Sequence, residues 1–453
     1  MVRVPRFGRL RIPGRLALRW RVGLRAQRRW WRSRLRDSQR GALLFPEAGG
    51  GMVAVETHPR DESTAAGARV AILHATAGSG HRRAAQALAA AFAELDPSVT
   101  VREVDTLVFA SRLYRRTYAA SYNAMAARAP RLWGVLYRSW ELAPVNRSTA
   151  PVRLALDRLN LRRLVRVCER EAPDAIVCTH FLPVEALSHV RGRGRLAVPL
   201  YCVITDFAAH PFWAFPHVDR YFVAAERVAD ELSRRGVARE RIEVTGIPVD
   251  PRFAGTIGRE TARARFGLEL DRPVVLVMGG GSGVGPLVDV SERLAASSLA
   301  PRLIVVCGTN RRLRDRVDGL PAALKGQIRT LGFTNEVDAL LEACDVAVTK
   351  AGGLTCAEAL VKRTPLVIFK PTPGQEVHNA EYLESGGAGT RADTIEAVER
   401  EAIRILGDAA ARERMREAAA RLAAPGAAET IARSVLRAAP AAKRTRADAP
   451  ADS

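Results

Sequence analysis

Short apolar runs alternate with helix-forming stretches along most of this chain. The run RVAILHA (69–75) is followed by TAGSG and then by HRRAAQALAAAFAEL (81–95), which is rich in good helix formers. Strand, glycine turn, helix is the unit of a parallel α/β sheet. The same reading predicts strands over 99–105, 174–179, 199–205 and 219–224, with a helix over 152–171. Gly246-Ile247-Pro248 closes this half. A second set starts after 270, with strands over 273–278, 302–308, 328–333, 345–350 and 365–370. Helices are predicted over 354–363, 377–385 and about 393–423. The pattern thus predicts an α/β protein of two doubly wound, Rossmann-like domains, 69–250 and 251–437, facing each other across a cleft. In such sheets ligands sit at the carboxyl ends of the strands. Residues 1–68 are expected to form a separate arm, and 438–453, rich in Ala, Pro and charge, a disordered tail.

Composition narrows the class. The chain has 453 residues, 47% of them hydrophobic, which excludes a mainly disordered protein. No run of about 18 uninterrupted apolar residues suggests a membrane-spanning helix. Six cysteines are scattered without a C-x-x-C pair, so neither a zinc ribbon nor a disulfide scaffold fits, and a reducing cytoplasm is the simpler setting. The formal charge of +22 is uneven, for residues 1–40 hold fourteen arginines and one acid, Asp37. Three readings of that segment stay open. Arg interleaved with Trp20, Trp30 and Trp31 suits an anionic lipid surface. Arg-rich, acid-poor composition also suits a nucleic-acid arm or a transit peptide. In the third reading Met52, after Gly49-Gly50-Gly51, is the working start.

Three loops of the second half carry candidate chemistry. Gly279-Gly280-Gly281-Ser282-Gly283 directly follows a strand, where glycines let backbone N–H groups approach an anion. It matches neither G-x-G-x-x-G nor the P-loop, so a tight βα turn is the plain alternative. Gly352, Gly353 and Thr355 lie between a strand and a helix, placed to hold a diphosphate. Glu358 follows in that helix, where a carboxylate accepts two hydrogen bonds from a ribose diol or simply complements the helix dipole. Gln375, Glu376 and Asn379 offer donors and acceptors suited to a hexose, or form a surface turn. In the first half, His81 opens a helix after Gly78-Ser79-Gly80. The helix dipole disfavours imidazolium there, leaving a neutral ring able to take a proton from an alcohol. Asp206 ends a strand and is a second catalytic candidate. Asp206 with His210 and His217 as a metal site is disfavoured by Pro211 and Pro216, which break helical spacing, and the chain contains no D-x-D.

Together these segments resemble the monogalactosyldiacylglycerol synthase and processive diacylglycerol glucosyltransferase family. The matching stretches are HATAGSGHRRAAQALAAAF (74–92), ITDFAAHPFW with VDRYFVAAE (204–226), VTGIPVD (244–250) and TKAGGLTCAEALVKRTPLVIFKPTPGQEVHNAEYLESGGAG (349–389). The resemblance runs from about 69 to 425 and implies a GT-B fold and inverting transfer from a UDP-sugar to a lipid. It places Phe333 by the uracil, Glu358 by the ribose, and Gly281, Ser282 and Thr355 by the diphosphate. Gln375, Glu376 and Asn379 would reach the sugar. His81 falls on the family's G-x-G-H position as general base, with Asp206 next. The diphosphate would leave on loop amides and helix dipoles with no metal or other cofactor, the UDP-sugar being a co-substrate. Val377 and His378 replace acidic residues found after the Gln-Glu pair in several members, which bears on the hexose.

The stretch 105–145 interleaves Arg with Tyr114, Tyr118, Tyr122, Trp133, Tyr137 and Trp140. That composition fits a monotopic contact with an anionic membrane, or an ordinary helical layer. Trp133, Tyr137, Trp140, His210 and Trp213 are the expected acceptor and membrane residues. The resulting expectation is UDP-hexose:diacylglycerol transfer at the cytoplasmic membrane face, with no nucleic-acid partner. The alternatives are transfer of N-acetylglucosamine or another sugar to a polyprenyl or other lipid, a nucleotide-sugar epimerase, and an inactive sugar or lipid sensor.

Overall fold

The computed structural model describes residues 42–46, 52–56, 67–76, 78–118 and 143–447. The chain divides into two compact units, Met1–Ala65 and Ala66–Ser453. In the first, β1 (Ala42–Pro46) pairs antiparallel with β2 (Met52–Glu56), Ala42 opposite Glu56. The apolar runs ALLFP and MVAVE favour extended pairing, so the segment expected as a disordered or membrane-surface arm contains a hairpin.

The second unit holds two six-stranded sheets, parallel throughout. One has the order β4-β3-β5-β6-β7-β8, from β3 (Arg69–His74), β4 (Thr100–Asp105), β5 (Ala175–Cys178), β6 (Leu200–Val203), β7 (Arg220–Val223) and β8 (Ile242–Val244). The other has the order β11-β10-β9-β12-β13-β14, from β9 (Val274–Met278), β10 (Arg302–Val306), β11 (Ile328–Leu331), β12 (Val346–Thr349), β13 (Leu366–Phe369) and β14 (Gly389–Ala392). The central strands are continuous apolar runs, VVLVM in β9 and AIVC in β5, because helices cover both faces. The order reverses beside β3, between β4 and β5, and beside β9, between β10 and β12. Those crevices are where a doubly wound sheet takes its ligand. His81 stands at the first, and the glycine loop with Gly352 at the second.

A fully buried Arg263 fixes the second crevice from behind. Its guanidinium donates to the carbonyls of Ala343, Glu269, Leu270 and Arg272 and pairs with Asp345 at 2.8 Å. Asp345, just before β12, also accepts the Val274 N–H at the start of β9.

The last helix departs from expectation. Residues 427–447 form one helix (Ala427–Ala447), where a disordered tail was expected from 438. Its Ala428, Ile431, Ala432 and Val435 lie in the same buried cluster as Leu88, Phe92 and Val177, so it covers the first sheet rather than the second. Small and β-branched residues at three- and four-residue spacing give it one apolar face.

Candidate active site between the two sheets

His81 is the third residue of the helix Ser79–Leu95, which starts directly behind β3. Its Nδ1 lies 2.7 Å from the Thr179 carbonyl oxygen. A carbonyl only accepts, so Nδ1 carries the proton and Nε2 keeps a lone pair. The Thr205 hydroxyl sits 3.1 Å from the same nitrogen, and the Thr179 hydroxyl donates to the His81 carbonyl at 2.9 Å. Burial holds the imidazole down to about 4, against the raising effect of the Thr179 bond and with help from His74. The ring is therefore neutral near pH 7, as the helix-start argument expects, but desolvation is the larger cause. His180 packs edge-on against it, ring centroids 4.5 Å apart. Its Nδ1 accepts the Leu182 N–H at 3.1 Å, and burial holds it well below the usual imidazole range. His74 is buried at the end of β3, 3.1 Å from Glu103. Sequence reasoning did not single out His74 or His180. Their places at the ends of β3 and β5, beside the crevice, are the signal that marks them.

Asp206 follows β6 and accepts from Asn379 Nδ2 at 3.0 Å. Burial raises its carboxyl to about 6, opposed by that bond and reinforced by Glu376. Asn379, from the helix Gln375–Ser385, is fully buried and bridges the two halves. Its Nδ2 also reaches the Ala351 carbonyl at 2.9 Å, and its Oδ1 accepts the Phe207 N–H at 2.7 Å. Its amide is thus enclosed in protein, where the family resemblance had placed it on the sugar. Glu376 accepts the Thr372 N–H at 2.7 Å and lies 3.8 Å from Lys350. Gln375, half-buried, begins the same helix.

In the second half the glycine loop folds against the turn after β10. A Cβ on Gly283 would fall 2.0 Å from the Cys307 carbonyl oxygen, at a φ of +57° that disfavours side chains in any case. Ser282 is exposed at the loop's tip. Gly352 caps the helix Gly353–Val361, with Thr355 half-buried in its first turn. Glu358 in that helix is 1% exposed and pairs with Arg83 Nη2 at 2.6 Å. Burial raises its carboxyl to about 7 against the pull of Arg83, with Asp250 and Asp338 adding to the rise. Phe333, beyond β11, is 61% exposed, free for stacking on a flat base. Lys350, which sequence reasoning passed over, follows β12 directly, its ammonium donating to Thr372 Oγ1 at 3.0 Å. Among the described residues no three or more His, Cys, Asp or Glu side chains gather as a metal site.

Two family models divide the chain along the same line. One described as Monogalactosyldiacylglycerol (MGDG) synthase matches residues 81–249, and one described as Glycosyltransferase family 28 C-terminal domain matches 274–432. A processive diacylglycerol beta-glucosyltransferase of Bacillus pumilus is 33% identical over 229 residues, covering 50% of this chain and 59% of that protein. The Bacillus subtilis protein of the same name is 29% identical over 277 residues, covering 61% and 72%. Both halves of the chain are thus similar to proteins of the monogalactosyldiacylglycerol synthase and processive diacylglycerol glucosyltransferase family. The chain spans less than two thirds of the length of the Bacillus pumilus relative. The crystal structure of Acinetobacter baumannii MurG superposes with a TM-score of 0.51 at 15% identity, covering 82% of this chain and 99% of that one. The fold is GT-B.

In the first half, two expected membrane residues turn inward. Trp213 is 3% exposed, its ring edge-on to Phe181 at 5.8 Å. His210 is buried and its Nδ1 accepts the Phe212 N–H at 3.3 Å, capping the 3-10 turn Pro211–Trp213. Large rings close on a neighbouring aromatic cluster, which outweighs the surface role their composition suggested. Trp133, Tyr137 and Trp140 lie outside the described residues. The same cluster contributes a wall running from His81: His180 meets Phe181 at 4.4 Å and Tyr118 at 6.3 Å, and Tyr118 stacks on Tyr114 at 5.5 Å. Tyr114 donates to Asp157.

Proposed function

We propose that this protein transfers a hexose from a UDP-sugar to diacylglycerol with inversion at the anomeric carbon. The observation that carries the reading is a histidine fixed as the Nδ1–H tautomer at one crevice, on a helix whose residues Ser79 and Arg83 touch the glycine loop and the buried carboxylate of the other. The acceptor hydroxyl gives its proton to His81 Nε2 as its oxygen attacks C1. The bond from C1 to the diphosphate breaks, and UDP leaves. In this scheme Phe333 stacks on uracil and Glu358 takes the ribose hydroxyls. Gly281, Ser282, Gly352, Gly353 and Thr355 surround the diphosphate at a helix start, and Gln375 and Glu376 face the hexose. Asp206 is the second candidate for the base. Negative charge on the leaving diphosphate is met by backbone N–H groups, the helix Gly353–Val361 and Lys350, so the scheme calls for no metal. The aromatic wall from His180 to Tyr114 suits a lipid glycerol backbone. Contact with an anionic membrane surface at the cytoplasmic face belongs to the same proposal. No helix among the described residues is long and apolar enough to cross a membrane.

The test is mass spectrometry of lipids from cells expressing the chain, with His81→Ala as control, followed by assay of purified protein with UDP-glucose and UDP-galactose. New monohexosyl- or dihexosyldiacylglycerol that disappears in the control supports the proposal. Unchanged glycolipids, or a product formed only on a polyprenyl acceptor, overturn it.

A further inference from the structure

The two halves touch where the donor is expected. Ser79 and Arg83 are four apart, so they share a face of the His81 helix, and that face lies on the nucleotide crevice. A Cβ on Gly281 would be 2.8 Å from Ser79 Oγ, and one on Gly80 would be 4.0 Å from Leu354 Cβ. A Cβ on Gly353 would fall 2.0 Å from the Thr205 carbonyl oxygen. Arg83 reaches across to Glu358 Oε1 at 2.6 Å, while Glu358 Oε2 is buried with no hydrogen-bond partner. The carboxylate is 1% exposed, so no ribose reaches it in this arrangement.

We propose that Arg83 and Glu358 form an interdomain latch: without donor it holds the nucleotide crevice shut, and donor binding breaks the pair so that the ribose diol takes the carboxylate in place of the guanidinium. The latch rests on the donor reading given above and adds Arg83 to it. The chemistry favours an exchange. A buried carboxylate with one oxygen unpartnered is poorly satisfied by a single contact, whereas a vicinal diol offers two O–H donors. Opening also exposes Glu358 to water before the ligand arrives. The apparent affinity for the donor is then the intrinsic affinity scaled by the fraction of molecules that are open. Removing Arg83 raises that fraction without removing a group from the open site, so the sign of the effect is fixed.

Calorimetric titration of UDP into the intact chain and into Arg83→Gln and Arg83→Lys tests this. The latch requires Arg83→Gln to bind UDP tighter, by about tenfold for a charge-assisted pair of this kind, with Arg83→Lys near the unaltered protein. Small-angle scattering without ligand should show Arg83→Gln expanded. UDP binding by the unaltered protein with unchanged or weaker binding by Arg83→Gln overturns the latch and leaves the donor reading standing. Absence of UDP binding in every form overturns both. A second variant does not depend on the Arg83 substitution. Gly80→Cys with Leu354→Cys has a Cβ spacing of 4.0 Å, within the range a disulfide bridges. Once oxidised it should lose UDP binding and regain it on reduction. Failure to cross-link, or equal binding in both redox states, counts against the shut form.

Discussion

Nδ1 of His81 points at the carbonyl oxygen of Thr179, 2.7 Å away, and so leaves the lone pair on the opposite nitrogen. One backbone acceptor at the end of β5 thereby selects the tautomer a base requires. His81→Asn should lower transfer about 10²- to 10⁴-fold, the usual worth of a positioned base, with UDP affinity retained. Steady-state rates and a UDP titration on the same protein check this.

The pH dependence separates the two candidate bases. His81 is held down to about 4 by burial, so it stays neutral and able to accept a proton well into acid. Asp206 is raised to about 6, so as a base it would be lost as pH falls through that value. With His81 in the role, kcat measured at saturating donor should stay level down to about pH 5 and fall only near 4. A limb near 6 would assign the role to Asp206.

The shut form should itself respond to pH. Glu358 is raised to about 7 where it is buried beside Arg83, Asp250 and Asp338, and returns towards the ordinary carboxylate range when exposed. The shut form therefore holds the extra proton. Its advantage is complete below the ordinary range and is lost as pH rises through about 7. Scattering without ligand should show a larger radius at about pH 8.5 than at about pH 6.5, an interval in which His81 stays neutral. An unchanged radius would contradict this.

Much of this was legible in the sequence, and the exceptions share a cause. All ten strands predicted from apolar runs are present. Besides the β1-β2 hairpin, the missed strands β8 and β14 lie at the edges of the two six-stranded sheets, where a short half-buried segment such as Gly389–Ala392 lacks a continuous apolar run. The helix expected over about 393–423 is broken at Asp408, whose side chain caps the second segment, Ala409–Leu422. His81, Glu358 and the glycine loops could be placed because strand ends and turn chemistry are local. Arg83 with Glu358, and Asn379 with Asp206 and Phe207, meet across more than 170 residues, and no periodicity reports such a meeting. The burial of Trp213 and His210 went unread for the same reason, since composition does not tell which aromatic rings face each other.

Gly353→Ala probes closure without touching a charge. Its added Cβ would meet the Thr205 carbonyl oxygen at 2.0 Å, so the halves must part, while alanine suits the helix itself better than glycine. The variant should keep its melting temperature and show a larger radius without ligand.

Arg263→Ala should be costly in a different way. It strips four buried backbone carbonyls of a shared donor and leaves Asp345 only Arg259, at 2.6 Å, and the Val274 N–H, and removing one partner of a buried pair costs, at the upper end, about 3–5 kcal/mol. Urea unfolding should show a matching fall in midpoint.

The helix Ala427–Ala447 roofs a sheet whose first strand is Arg69–His74. During synthesis the amino-terminal sheet leaves the ribosome long before its cover does, and the whole second sheet must be made in between. A nascent chain stalled anywhere before residue 427 would thus display Leu88, Phe92 and their neighbours bare, a natural client for chaperones.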